Sequence, residues 1–169
     1  MELEGNQIDL LISILVRFPQ IGTVHYEPAE KALRIVFLIK GSRVDFASFV
    51  QNFESHLSLF HSFRQEQVLV ASVKRIIKDE LVALEVTRDL ASLSLSELNL
   101  ITELINDSFE ESLVREGPDM VDEDEWEQNM LIESLLSSAS WRGLERLTGY
   151  RENGRVLVFS IPFKEVTES

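Results

Sequence analysis

No cysteine occurs among the 169 residues. Its absence excludes thiol catalysis, zinc–thiolate centres, iron–sulfur clusters and disulfide frameworks, and it suits a cytoplasmic protein. Glycine is sparse: the 7 glycines are scattered at positions 5, 22, 41, 117, 143, 149 and 154. That spacing excludes a Walker loop and a dinucleotide fingerprint. No G-x-S-x-G elbow is present either. Long apolar runs are missing, and no window approaches the roughly 18 residues a membrane span requires. The apolar stretch from Ile8 to Val16 is broken by Asp9 and Ser13 and follows the acidic start M-E-L-E-G. A secretory leader wants a basic start, so residues 6–18 are expected to be a core helix, stopped by Pro19.

Basic residues are nearly missing from one block. Residues 91–140 hold 1 basic and 13 acidic side chains, whereas residues 1–90 hold 10 and 12 and residues 141–169 hold 5 and 4. Almost all of the net charge of −13 therefore lies in 91–140. This balance argues against nucleic acid or an anionic membrane as partner, and for a protein partner that complements a negative surface.

An apolar content of 44% is ordinary for a globular chain, and the length fits a single domain over 1–163 with a flexible tail at 164–169. Between Ser42 and Phe63, the residues Phe46, Phe49, Val50, Phe53, Leu57 and Phe60 recur at steps of three and four. They fall on one face of a helix, opened by Ser42 or Asp45 and expected to be the main plug of the core. The first helix is apolar on nearly every side, which predicts that it is sandwiched or lies at a homodimer contact. Strands are expected at 21–27 and 32–40, and again at 68–77 and 81–88, from their alternation and β-branched content. Ser94-x-x-Glu97 reads as a capping box opening a helix over 95–115, ended by Gly117-Pro118. A further helix is expected over 123–140 with Asp122 as its N-cap. The last hairpin turns at Asn153-Gly154, the favoured pair for a two-residue type I′ turn. The order α-ββ-α-ββ-αα-ββ predicts an α+β fold with a mostly antiparallel sheet of about six strands from three hairpins.

Candidate functional residues follow from charge and aromaticity. The run Asp119, Asp122, Glu123, Asp124, Glu125 and Glu127 reads as a solvated loop and first helical turn, as a docking surface for a basic partner, or as an oxygen-ligand site for a divalent metal. It fails the EF-hand pattern because Trp126 stands at a ligand position and no glycine follows. Arg142, Arg146, Arg151 and Arg155, with Trp141 and Tyr150, form a small arginine–aromatic set that reads first as structural salt bridges, with the acidic helices as candidate partners, and second as a binding hot spot for a protein or an anionic ligand. Trp126, Met130, Leu131 and Leu135 are expected in the core, the alternative being an exposed apolar strip on that helix. His56 and His61 are five residues apart, about 140° around a helix, so they cannot form an i,i+4 metal pair; with His25 they read as boundary residues.

The sequence favours a non-enzymatic protein-interaction or regulatory module with no cofactor. The partner-binding residues would be Asp119, Asp122, Glu123, Asp124, Glu125, Glu127, Arg142, Tyr150, Arg151 and Arg155. Two other readings stand beside it. One is a small enzyme or ligand-binding domain whose dispersed site joins His56 or His61 to a carboxylate of the acidic block. The other is an RNA- or ribosome-associated factor using the C-terminal hairpin.

Overall fold

A computed structural model describes residues 2–41, 45–117, 120–137 and 145–162. Ser42, Pro118, Asp119, Trp141, Arg142 and the 164–169 tail lie outside the described residues. The chain runs α1 (Glu2–Arg17), β1 (Thr23–Glu27), β2 (Ala32–Lys40), α2 (Phe46–Arg64), β3 (Ala71–Lys78) and β4 (Leu81–Asp89). It continues through α3 (Leu95–Phe109), a short 3-10 turn (Glu110–Ser112), α4 (Asp122–Ser137), β5 (Glu145–Glu152) and β6 (Arg155–Pro162). The class is α+β, as the sequence predicts.

All six strands form one antiparallel sheet in the order β3-β4-β2-β1-β5-β6. Because successive side chains on a strand point to opposite sides, the register sorts every residue onto one of two faces. Val73, Val86, Ile35, Val24, Gly149 and Val158 lie in one cross-strand row. This row faces the helices: a Cβ added at Gly149 would stand 2.9 Å from Leu15 Cδ1 and 3.5 Å from Leu11 Cβ of α1. The neighbouring row, Lys74, Glu85, Val36, Thr23, Tyr150 and Leu157, belongs to the other face. That second face carries polar chemistry: Arg34 bridges Glu27 at 3.2 Å and Glu85 at 3.3 Å.

The core's centre is α1 rather than α2. Leu10, Leu11, Ile14 and Leu15 are all buried beneath α4 and against β1, β5 and β6. The oily helix is thus sandwiched within the chain, the first of the two placements that its sequence predicts. Helix α2 is a weaker plug than its stripe predicts. Phe49, Phe53 and Leu57 are buried, and Phe49 meets Phe109 of α3 with ring centroids 4.9 Å apart. Phe46, Val50 and Phe60 are only partly covered, and Phe63 is 79% exposed.

Helix ends follow local chemistry. Asp45 caps α2 by accepting the Ser48 backbone N–H at 3.1 Å, satisfying one of the free amides of a first turn. Helix α3 stops at Phe109, short of the expected 115, because Glu110 takes a positive φ of 42°. The chain then leaves the helix to pair with β2: Val114 N–H donates to Leu38 O at 2.8 Å, and Leu113 bridges Ile39. Asn153 and Gly154 both have positive φ, 53° and 77°, as a type I′ turn requires.

Candidate functional site

The expected partner-binding residues are divided between two regions. Asp122, Glu123 and Asp124 occupy the exposed first turn of α4, where carboxylates suit the positive end of the helix dipole. Asp122 is the first helical residue rather than the cap. Glu125 turns inward to Arg17 of α1 at 3.4 Å, and Glu127 remains exposed. Beside these carboxylates Trp126 is 63% and Met130 51% exposed, and Leu131 is also exposed. This corrects the expectation that they pack inside; only Leu135 of that set is buried. The buried side of α4 is Ile132 with Leu135. Residue 126 lies about 120° and residue 130 about 160° around the helix from 132 at 100° per residue.

The described members of the arginine–aromatic set, Arg146, Tyr150, Arg151 and Arg155, do not form one patch. Arg151 points to the helix face and donates to the carbonyl oxygens of Leu15, Phe18 and Ile21. A guanidinium there ties the last turn of α1, through Leu15, to the turn that follows it, through Phe18 and Ile21. Burial holds its pKa below the ordinary arginine value, with Glu116 pulling the other way. Tyr150 lies on the opposite face, edge-on to Phe159 at 5.8 Å. Arg146 reaches Glu27 at 3.4 Å, and Arg155 is exposed beside the turn.

The histidines have separate fates. His56 is exposed and its Nδ1 lies 2.8 Å from Asn52 O. His25 sits on the polar sheet face, with Nδ1 3.0 Å from Thr148 Oγ1. Burial, and then the Arg34 charge, lower its pKa from 6.5 against the pull of Glu27 and Glu85. His61 turns inward to a site the sequence did not single out.

That site is built around Arg88. The inward positions of β4 are Val82, Leu84, Val86 and Arg88, so strand alternation drives an arginine into the core. Arg88 is 0% exposed, and all five of its N–H groups are used. Nε donates to Glu97 Oε2; Nη2 donates to Glu97 Oε1 at 2.8 Å and Ser92 Oγ at 2.9 Å. Nη1 donates to Val70 O at 2.8 Å and to Asp89 Oδ1. Burial opposes its charge, but the hydrogen bonds and charge of Glu97, aided by Asp89, outweigh that and raise its pKa.

Asp89 closes the other side of the network. Its Oδ1 accepts the N–H groups of Leu69 and Val70 at 3.1 and 3.0 Å, and its Oδ2 accepts the Ser92 N–H and hydroxyl. Burial alone would raise its pKa; these bonds and Arg88 win and lower it. They also explain why β3 begins at Ala71 and not at 68: the Leu69 and Val70 amides are bound by a side chain instead of a neighbouring strand.

Glu97 is delivered by its helix cap. Ser94 Oγ accepts the Glu97 N–H at 3.2 Å, the first half of the expected capping box. The second half is diverted, since the Glu97 carboxylate is bound by Arg88. Its Oε1 also lies 3.0 Å from His61 Nε2, in the last turn of α2. Past that turn Gln65 adopts a left-handed φ of 54°; Gln65 N–H donates to Ser62 O and Glu66 N–H to His61 O. This is a Schellman arrangement, and it folds Glu66 back toward His61.

The ligand atoms of His61, Glu66 and Glu97 lie within 4.8 Å of one another. Beside them a cavity of about 200 Å³ opens between α2 and the β3–β4 ladder, lined by Phe53, Leu57, Ser58, His61, Val73 and Arg88. Arg88 has no donor left for a ligand there, so it is a structural member of the wall. The sequence signal for this network was a charged residue at core parity in β4, followed by Asp89 and the Ser94–Glu97 cap. Glu66 carried no such signal.

No protein-family model matches the chain, and neither the curated proteins nor the solved structures contain a match to it.

Proposed function

We propose that the chain is a non-enzymatic protein-interaction module in a cytoplasmic setting. In this reading it uses the outer face of α4 to hold a partner segment that combines basic residues with an apolar anchor. The observation that carries this is the exposure of Trp126 at 63% on a helix whose first turn is Asp122, Glu123, Asp124 and Glu125. Trp126 and Met130 are one helical turn apart and form a strip flanked by Glu123 and Glu127. Exposed tryptophan is costly to leave in water and is enriched among interface anchors. The carboxylates add attraction for a cationic segment and penalise an acidic one.

The test is selection of peptides from a random displayed library on the intact protein. The expected product is a family carrying an aromatic or aliphatic anchor flanked by Lys or Arg. Their affinity for a Trp126→Ala variant should fall roughly thirtyfold, the equivalent of losing a hot-spot anchor worth about 2 kcal/mol. Selected peptides that are not basic, or that bind the variant as tightly, would remove α4 as the contact surface.

A second reading, a ligand-binding domain with a dispersed site, is favoured by the cavity under α2. It agrees with the pairing of His61 and a carboxylate from the acidic block. The hairpin reading toward RNA has less support, because Arg151 is spent on the carbonyls of Leu15, Phe18 and Ile21 and Arg146 reaches Glu27.

A further inference from the structure

We propose that His61, Glu66 and Glu97 bind a divalent transition-metal ion of the zinc class beside the α2 cavity. The inference is independent of the α4 surface. Its first support is a pair of buried atoms with no hydrogen-bond partner: His61 Nε2 and Glu66 Oε1. Both residues belong to one cluster, since one ligand atom from each and a Glu97 oxygen fall within 4.8 Å of one another. The His61 side chain is only 11% exposed and that of Glu66 19%, and the two atoms themselves are buried, so leaving them unpartnered costs free energy.

Geometry is the second support. His61 Nε2 stands 3.0 Å from Glu97 Oε1, a hydrogen-bonding distance, yet the ring is not oriented to donate to that oxygen. Two ligands of a tetrahedral ion with bonds near 2.0–2.1 Å stand roughly 3.3 Å apart. The pair is therefore already spaced as ligands of one ion. Glu66 must close by roughly 1–2 Å to reach the same spacing, a movement within reach of a glutamate side chain on the turn after α2.

Charge gives the third. Arg88 carries one positive charge against the two negative charges of Asp89 and Glu97, all within the buried network. The remaining negative charge calls for a cation. Glu66 brings another carboxylate, itself paired with Arg64 at 3.5 Å. Arg88 donates to both Glu97 oxygens, including the Oε1 that faces His61, and a carboxylate oxygen has a second lone pair to offer an ion; the guanidinium thus fixes that carboxylate, the part second-sphere partners play at metal centres.

One imidazole and two carboxylates make a mixed nitrogen–oxygen set, which suits zinc, cobalt or manganese better than the all-oxygen preference of calcium and magnesium. Three protein ligands leave a tetrahedral ion one open position. His61 also lines the cavity, so an exogenous ligand entering there meets the ion.

The experiment uses the intact chain, stripped with chelator, with Zn²⁺ titrated by calorimetry and Co²⁺ followed by its visible absorption. The expected result is one ion per chain, with a tetrahedral cobalt spectrum. His61→Ala and Glu66→Gln should each weaken binding at least tenfold. Glu54→Gln, which alters a cavity-lining residue outside the ligand set, should leave it unchanged. Glu97→Gln unpairs Arg88 and can unfold the chain, so the result rests on the other two variants, whose folding is checked by circular dichroism. Absence of stoichiometric binding below about 100 µM, a −5.5 kcal/mol limit, would overturn the proposal. Binding that survives both variants, or is removed only by neutralising Asp122, Glu123 and Asp124, would do the same.

Discussion

Arg88 is paired so completely that its substitution tests how the interior tolerates charge. Replacing it with alanine leaves Asp89 and Glu97 buried with no cation between them. Breaking a buried ion pair by removing one partner costs about 3–5 kcal/mol, much of a small domain's stability. Arg88→Ala should therefore lower the urea midpoint sharply, with the slope of the transition unchanged. Arg88→Lys should recover only part of the loss, because an ammonium offers three donors where five acceptors wait. A lysine variant as stable as wild type would mean that charge alone, and not the fork of donors, holds the network. At this scale part of the site was legible: an arginine at the inward parity of β4 can be read from alternation alone. His61 could not be assigned, because its partner Glu97 belongs to another helix and nothing local distinguishes an inward histidine from a boundary one.

Elements were more legible than their packing. The three hairpins, the four helices and the Asn153-Gly154 turn follow from periodicity and turn chemistry, with boundaries off by a few residues where a side chain captured a backbone group. The apolar spacing of α4 was present but ambiguous. Trp126 and Met130 point well away from Ile132, and tertiary packing chose the side of Ile132 and Leu135. The seat of α1 was hidden because it depends on a glycine in a distant strand. Gly149 is buried, and its missing side chain lets Leu11 and Leu15 approach β5. A valine there would put three carbon atoms into space already held by Leu15, whose Cδ1 is 2.9 Å from an added Cβ. Overpacking of this kind costs typically 1–3 kcal/mol. Gly149→Val should thus lower the thermal midpoint, and Gly149→Val with Leu15→Ala should recover part of the loss. Failure of that rescue would place the strain in the β5 backbone and not against α1.

At the scale of the whole molecule, the order of hairpins in the sheet could not be read from the chain, since any hairpin can dock on either edge of another. Among the described residues the observed order leaves β3 and β6 as edges, each with a row of backbone groups that no neighbouring strand takes up. Strand β6 ends at Pro162, which has no N–H to offer. Strand β3 is exposed along nearly all of its length and includes Ile76 and Ile77, 51% and 52% exposed. Such an edge templates association unless charge prevents it. Lys74, Arg75 and Lys78 supply that charge in a chain of net −13. Antiparallel self-pairing about the centre of β3 would set Lys74 opposite Arg75 of the second copy, an unfavourable like-charge pair. Arg75 is also occupied with the Phe46 ring, 4.7 Å from its centroid, which leaves the two lysines as the removable guards. Lys74→Val with Lys78→Val should leave the fold and its melting unchanged while shifting sedimentation to larger species as concentration rises. An unchanged sedimentation profile would mean that Arg75 alone suffices, and the triple variant with Arg75→Thr would then have to release association for edge charge to be the guard at all.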